Sequence, residues 1–437
     1  MKVAYISAGA AGSYCGACNR DALIVRELRG RGHDAILVPL YTPLRTDGDA
    51  PAAAGLFYGG INCVLQERIP LFRKTPRFLD RLWDSPLLLK AVSRFAVSTR
   101  PEELAEMTIS VLRGSQGRQA KELNRLLAFL RQSLAPDIVH LTNSLLLCIA
   151  PAVKDRIGCA VVCSFQGEDS FLSRFPEKWR QTAIGLMQDC AAAVDLFVSA
   201  GRSHASAMAC LLRIPEDRVR IVPPAVDPAY LALPSERPDR PFRIGFLSRR
   251  SPAKGLDTLV EAFCILCRTG RGDEILSVAG ECPGTLRAFW FAQARQLRRQ
   301  GLLARLEEFG QPDFEGKKRF LSRCSVFCLP GRGEEQRAAA CLEALAAGLP
   351  VITSATGVAA EVVETTGGGV LIPPDDPVAL ARTLGFLRDN PGHRARLARS
   401  AREGVRLHFL PETMVKEIEK VYTEALRTSQ CKPKERQ

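Results

Sequence analysis

Residues 330–354 read PGRGEEQRAAACLEALAAGLPVITS. The apolar run VFCLP (Val326–Pro330) leads into a Gly-containing loop, then into AAACLEALAAG, a run of strong helix formers stopped by Gly348, and then into PVITS (Pro350–Ser354). Strand, loop, helix and strand in that order make one crossover unit of a parallel sheet. Glu335 stands at the helix entry, and Glu343 lies eight residues on, about two turns away on roughly the same side. A carboxylate can accept hydrogen bonds from the paired hydroxyls of a sugar or ribose. The helix N-terminus between the two glutamates offers free N–H groups to a phosphate. The structural alternative is a surface carboxylate at a helix start with an unrelated one further along.

Outward from this unit the rhythm repeats. RIGFL (Arg243–Leu247), ILSVAG (Ile275–Gly280), LEEFG (Leu306–Gly310) and GVLIPP (Gly369–Pro374) are further strands, with helical patterns between them. The amino-terminal half carries its own series: Lys2–Ser7, AILVPLY (Ala35–Tyr41), DIVHL (Asp137–Leu141), CAVVCSF (Cys159–Phe165), DLFVSA (Asp195–Ala200) and VRIVPP (Val219–Pro224). A helix over Asp21–Arg31, stopped by Gly32, joins its first two strands. Arg68–Arg100 interrupts the series as a Pro- and Arg-containing insertion, and the Pro- and charge-rich stretch after Val226, DPAYLALPSERPDRPF, reads as a linker. The expected fold class is therefore α/β, with two doubly wound halves that bind ligand beyond the carboxyl ends of their strands.

A chain of 437 residues exceeds what one core usually supports, which fits two domains. Its 46% hydrophobic and 24% charged residues exclude a largely disordered chain. The net charge of +13 points to anionic partners: nucleic acid, a phospholipid surface or a phosphorylated small molecule. One local cluster, Arg295, Arg298 and Arg299, ends the run RAFWFAQARQLRRQ, which reads as a solvated helix face in preference to a segment lying on an anionic bilayer. The 15 cysteines lack a repeated spacing and many sit in apolar runs (Cys148, Cys159, Cys163, Cys328), as buried hydrophobes of a reducing compartment do. Cys15 and Cys18 form a lone CxxC without the second ligand pair of a structural zinc site. The amino terminus reads as a buried strand rather than a signal peptide, and no run of about 18 apolar residues occurs. A cytoplasmic protein is expected, with a peripheral place on the inner membrane face as the alternative.

The opening stretch resembles the E-x7-E signature of retaining glycosyltransferases of family 4, matching at Glu335, Glu343, Ala344, Ala346, Gly348, Pro350 and Val351. SRRSPAKGLDTLVEAF resembles the same family's GRLxxxKGxxxLxxAF, with Arg249 and Lys254 on the positions whose cations meet the donor diphosphate. Guanidinium and ammonium groups suit a leaving diphosphate whose charge grows in the transition state. AGE (Ala279–Glu281), EEFGQ (Glu307–Gln311) and TGGGVLIPPDDP (Thr366–Pro377) fall on further family loops, Gly16 on the Gly-Gly loop near the donor, and Gly32–Asp34 on the strand entry after it.

The resemblance implies the GT-B architecture, two Rossmann-like domains facing across a cleft: an acceptor domain over 1–224, a donor domain over 225–390, and helices over 391–437 returning to the first domain. It implies transfer of a hexose from a nucleoside diphosphate sugar with retention (EC 2.4 type). Arg249 and Lys254 would hold the diphosphate, Glu335 would position the sugar and Glu343 would bind the ribose. No cofactor beyond the co-substrate and no metal is expected, since no DxD cluster is placed to hold one. The acceptor would be a glycan, glycolipid or small molecule.

Departures accompany the match. Gln166 replaces the family's histidine, and can hydrogen-bond a hydroxyl but not act as a base. Ala338 replaces a glycine, Arg337 precedes it, and Pro224 and Ala225 stand where Asn and Gly are typical. His140 and Glu168 are candidate acceptor or sugar contacts beside Gln166. The alternative for His140 is a structural role at a strand end, and for Glu168 and Asp169 a lead into a helix capped near Ser170. A catalytically weakened sugar-nucleotide-binding protein is the rival reading. A nicotinamide enzyme fits GAAGSYCG only loosely, and a nucleic-acid binder lacks a basic stripe with interleaved aromatics.

Overall fold

The computed structural model describes residues 1–8, 16–41, 52, 57–58, 66, 101–234, 240–268, 272–333 and 338–431. The insertion over Arg68–Arg100, Cys15, Glu335 and Arg337 lie outside them. The chain divides into two compact units, Met1–Val222 with Val415–Gln437, and Pro223–Met414.

Each unit is built on a six-stranded sheet whose described pairings are all parallel. In the first unit β1 (Lys2–Ser7), β2 (Asp34–Pro39), β3 (Ile138–Leu141), β4 (Ala160–Ser164), β5 (Leu196–Ser199) and β6 (Val219–Ile221) lie in the order β2-β1-β3-β4-β5-β6. In the second, β7 (Phe242–Leu247), β8 (Glu274–Ala279), β9 (Leu306–Phe309), β10 (Val326–Leu329), β11 (Val351–Ser354) and β12 (Gly369–Ile372) lie in the order β12-β11-β10-β7-β8-β9. That is the doubly wound order of a dinucleotide-type fold, with its reversal between β7 and β10. In the first sheet the reversal falls between β1 and β3. Central strands β3, β4, β10 and β11 are buried at every residue, whereas edge strands β6, β9 and β12 are mostly half-exposed. Helices cover both faces of a parallel sheet, so its inner strands read as unbroken apolar runs.

Two expectations about boundaries differ from the structure. The presumed linker after Val226 holds a short 3-10 turn, Pro228–Ala232, in which Asp227 caps Ala229 and buried Tyr230 packs edge-on against Phe314 with ring centroids 5.3 Å apart. One aromatic side chain thus turns the beginning of a Pro-rich stretch into part of the second core. The helix Pro391–His408, expected to return to the first domain, belongs to the second unit. Gly404 lets it approach the helix Gly357–Thr366 so closely that a Cβ there would stand 2.5 Å from the Thr366 Cα.

The last helix, Pro411–Cys431, contributes Val415 onward to the first unit. Glu419 accepts from Arg31 at 2.8 Å and meets His33 Nε2 at 2.8 Å. Glu424 accepts from Arg220 Nε at 2.9 Å, and Ser429 from Lys154 at 2.9 Å. Met414, Val415, Ile418, Val421, Tyr422 and Ala425 bury its apolar side. No helix among the described residues is long and apolar enough to cross a membrane.

Candidate functional site

In the second unit the loops that leave β7 and β10 meet at the reversal of strand order. The β7 loop carries Arg249, which is exposed, and the half-buried Lys254, the last residue of a 3-10 turn over Pro252–Lys254. Gly255 then takes φ 68°, and a Cβ on it would stand 1.7 Å from the Pro330 carbonyl oxygen at the start of the β10 loop. Only glycine permits that backbone at that spacing. Helix Leu256–Arg268 follows, with Leu256, Leu259, Val260 and Phe263 buried.

Arg332, in the β10 loop, fastens this arrangement. Its backbone N–H donates to Ala253 O at 2.9 Å and its guanidinium to Pro252 O at 2.9 Å. The same guanidinium reaches the Asp257 carboxylate at 2.9 Å and pairs with Asp375, which follows β12. Asp375 and Asp257 in turn hold its charge firmly, raising its pKa despite partial burial. Three loops at the carboxyl edge of the sheet are therefore tied by one planar fork. Sequence reading passed over Arg332, although its place between two glycines, Gly331 and Gly333, just before the glutamates, marks a residue whose backbone was to be folded tightly.

Arg250 performs the equivalent task one strand further out. It is 6% exposed, donates to Glu308 at 2.5 Å and to Phe309 O at 2.8 Å, and lies 4.7 Å from the Trp290 ring centroid. Its neighbour Arg249 pairs with no carboxylate among the described residues. The alternation of side chains along the loop thus spends one arginine on the framework and turns the other to solvent.

Helix Ala339–Ala346 begins after the β10 loop, with Ala338 as its N-cap and no side chain capping its first turn. Glu343 sits in its second turn, where Lys317 from helix Phe314–Arg323 pairs with it at 2.9 Å, each side chain 14% exposed. The sequence had not suggested Lys317.

In the first unit the predicted contacts lie within β3 and just beyond β4. Glu168 is buried, and its two carboxylate oxygens accept the backbone N–H groups of Ser144 at 2.6 Å and Gln166 at 2.7 Å. It stitches two loops together. His140 is fully buried within β3, with Nδ1 2.8 Å from the Tyr422 hydroxyl and Nε2 2.8 Å from Ser164 Oγ. Burial, then the nearby Arg20 charge, hold its imidazole well below the usual histidine range, so it is neutral. Gln166 is half-buried and donates through Nε2 to Thr142 Oγ1 at 2.8 Å. Thr142 donates to Asp21 at 2.5 Å, and Ser7, at the end of β1, donates to the same carboxylate oxygen at 3.0 Å. Because the Thr142 proton goes to Asp21, Thr142 accepts from the Gln166 amide, which fixes the NH2 toward Thr142 and leaves Oε1 as the acceptor end of the side chain. Gly16 is the first residue of helix Gly16–Gly30, which also carries Asp21.

Two six-stranded parallel sheets of this topology define the GT-B class of two Rossmann-like units. The solved structures agree: HepE of Anabaena in complex with UDP and glucose superposes with a TM-score of 0.67 at 16% identity, covering 97% of this chain and 99% of that one. Sucrose-phosphate synthase from Thermosynechococcus elongatus gives 0.68 at 17% identity, with 97% and 99% covered. Residues 234–404 match the family model described as glycosyl transferases group 1, and residues 98–230 that of Glycosyltransferase Family 4. Each half of the chain is thus similar to a glycosyltransferase family model.

Among curated proteins, it is 30% identical over 210 residues to a glycogen synthase of Mycobacterium tuberculosis, covering 48% of this chain and 49% of that protein. It is 31% identical over 199 residues to a phosphatidyl-myo-inositol mannosyltransferase of Mycobacterium leprae (43% and 47% covered). With a D-inositol 3-phosphate glycosyltransferase of Xylanimonas cellulosilytica it shares 32% over 232 residues (49% and 54% covered). The matches span about half the length of these relatives.

Proposed function

We propose that the protein transfers a hexose from a nucleoside diphosphate sugar to a carbohydrate or polyol acceptor, with retention of configuration. The observation that carries this is the junction of the β7 and β10 loops at the topological switch point: Arg249 and Lys254 stand in the first, and the second leads toward a helix whose N-cap, Ala338, has no capping side chain. A diphosphate needs that combination of cations and free N–H groups. In the transition state the bond between the anomeric carbon and the diphosphate oxygen lengthens, and negative charge grows on the leaving oxygen. Arg249 and Lys254 stabilise that charge without a divalent ion, Glu335 orients the sugar, and Glu343, held by Lys317, accepts from the ribose. The relatives named as glycosyltransferases of inositol compounds, and the UDP in the HepE complex, support a sugar nucleotide as donor and make uridine diphosphate hexoses the first to try.

A second reading, binding of the sugar nucleotide with little turnover, is favoured by Gln166 and Ala338, where the resemblance calls for histidine and glycine. One experiment addresses both. The protein is incubated with a panel of nucleoside diphosphate sugars while nucleotide release and thermal stabilisation are followed, alongside Glu335→Ala. Release with one donor, lost in the variant, supports transfer. Stabilisation without release supports the binding protein, and neither effect with any donor refutes both.

A further inference from the structure

The helix Arg287–Arg299 contains no acidic residue. Trp290, Gln293 and Leu297 bury its inner side, while Arg287, Phe291, Arg295, Arg298 and Arg299 are exposed, Phe291 to 63%. At about 100° per residue, Arg287, Arg298, Phe291 and Arg295 fall within an arc of about 80°, with Ala288, Arg299 and Ala292 continuing the same face. None of the four arginines pairs with a carboxylate among the described residues.

A merely solvated face does not account for this arrangement. Arg295 repels Arg298 and Arg299, its neighbours three and four positions on. Arg287 opens the helix, where the macrodipole disfavours a cation and no side-chain cap offsets it. In the midst of these charges a phenylalanine ring is left in water. An anion-rich surface with an apolar layer beneath it relieves all three costs at once.

We propose that this helix docks the second unit on an anionic bilayer, with the Phe291 ring entering among the acyl chains and Arg287, Arg295, Arg298 and Arg299 meeting lipid phosphates. Apolar ring at the centre and guanidinium groups around it is the pattern of an interfacial helix. The charge is complementary to a leaflet bearing acidic lipids. A nucleic-acid strand fits less well: the face is a single convex helix, and Phe291 has small Ala288 and Ala292 beside it rather than a second exposed ring on which a following base could stack. The inference stands apart from the proposed reaction, since none of these residues belongs to the β7 and β10 loops.

The full chain is tested by co-sedimentation with vesicles of phosphatidylcholine alone and of phosphatidylcholine mixed equally with phosphatidylserine. Binding is expected only to the mixed vesicles and falls as salt is raised. Each Arg→Gln substitution at 287, 295, 298 or 299 weakens it about fivefold, and Phe291→Ala about tenfold. Thermal melts of the variants should match the parent, because the side chains are exposed, and the single arginine variants keep the test alive if a multiple one misfolds. Equal binding to both vesicles overturns the proposal. So does undiminished binding by Phe291→Ala combined with Arg295→Gln and Arg298→Gln, or loss in that variant of binding to a single-stranded oligonucleotide but not to vesicles.

Discussion

The two sheets reverse strand order at matching places, yet the polar groups there are spent differently. Beyond β1, β3 and β4 the side chains satisfy one another: Ser7 and Thr142 donate to Asp21, Gln166 to Thr142, and Glu168 takes two backbone N–H groups. Beyond β7 and β10, Arg332 and Arg250 match the framework's own carboxylates, Asp257, Asp375 and Glu308, while Arg249 pairs with no carboxylate among the described residues. In the proposed function the anion meets the arginine that the described carboxylates leave exposed. A count of arginines in the loops would not separate the two. Among the described residues, the first edge is a mutually bonded network and the second leaves a cation exposed.

The difference predicts where each edge is vulnerable. Replacing Arg249 and Lys254 together by alanine should lower turnover by at least about 10²-fold, and by about 10⁴-fold if the two act independently. Little stability should be lost through Arg249, since it is exposed. Steady-state nucleotide release at saturating donor measures this, with circular dichroism to check the fold. A change of only a few fold would erase the distinction between the two edges.

At the first edge the expected cost falls on folding. Asp21 is 1% exposed, and Asp21→Ala leaves Ser7 and Thr142 without their acceptor, costing about 3 kcal/mol in denaturant unfolding. Affinity for the donor nucleotide should not change. Burial raises the Asp21 carboxyl above its ordinary value, against the opposing charge of Arg20 and the Thr142 and Ser7 hydrogen bonds. Its contribution is therefore fully present below the unfolded pKa and is lost as pH rises through the folded one. Asp21→Asn keeps an acceptor oxygen and removes that loss, so it should cost less at neutral pH and flatten the dependence.

Arg332→Lys sharpens the contrast further. A lysine replaces the planar fork by a point charge and retains only part of the contacts to Asp257, Asp375 and Pro252 O, at a cost of about 1–2 kcal/mol. Because the Arg332 guanidinium is engaged by Pro252 O, Asp257 and Asp375, it should act through the loops it ties, and the KM for the donor should rise by more than kcat falls. Equal falls in kcat and kcat/KM, with KM unmoved, would assign Arg332 a direct part in the transition state.

Much of this was legible in the sequence, for a physical reason. Strands buried on both faces must be apolar throughout, so DIVHL, VFCLP and PVITS announced themselves, and the structure differs mainly in trimming residues at their ends. Arg249 and Lys254 stood out only through the resemblance of SRRSPAKGLDTLVEAF to a family motif, since an arginine and a lysine before a helix mean little alone. Partners distant in the chain were not. The Tyr422 that meets His140 lies 282 positions away, and Lys317 lies 26 from Glu343. Tyr230 was lost among prolines because composition, averaged over a stretch, hides one aromatic side chain.

The smallest effect expected belongs to His140, and its sign separates a structural histidine from a catalytic one. Burial keeps the folded imidazole neutral well below the ordinary range, while in the unfolded chain it protonates near about 6.5. The unfolded state therefore binds a proton that the folded state refuses. Stability from this group is present above about pH 6.5 and falls as the pH drops below it, by up to about 1.4 kcal/mol per pH unit. Gln in its place cannot titrate, so His140→Gln should be less stable at neutral pH yet lose stability less steeply between about pH 6.5 and 5.5. Unfolding measured across that range, set beside nucleotide release over the same range, decides the matter. A flatter stability profile with an unchanged pH–rate profile makes His140 a part of the bonded network at the first edge, tied to Tyr422 and Ser164. A shifted pH–rate profile would move it into the chemistry, and the first edge would no longer be purely a framework.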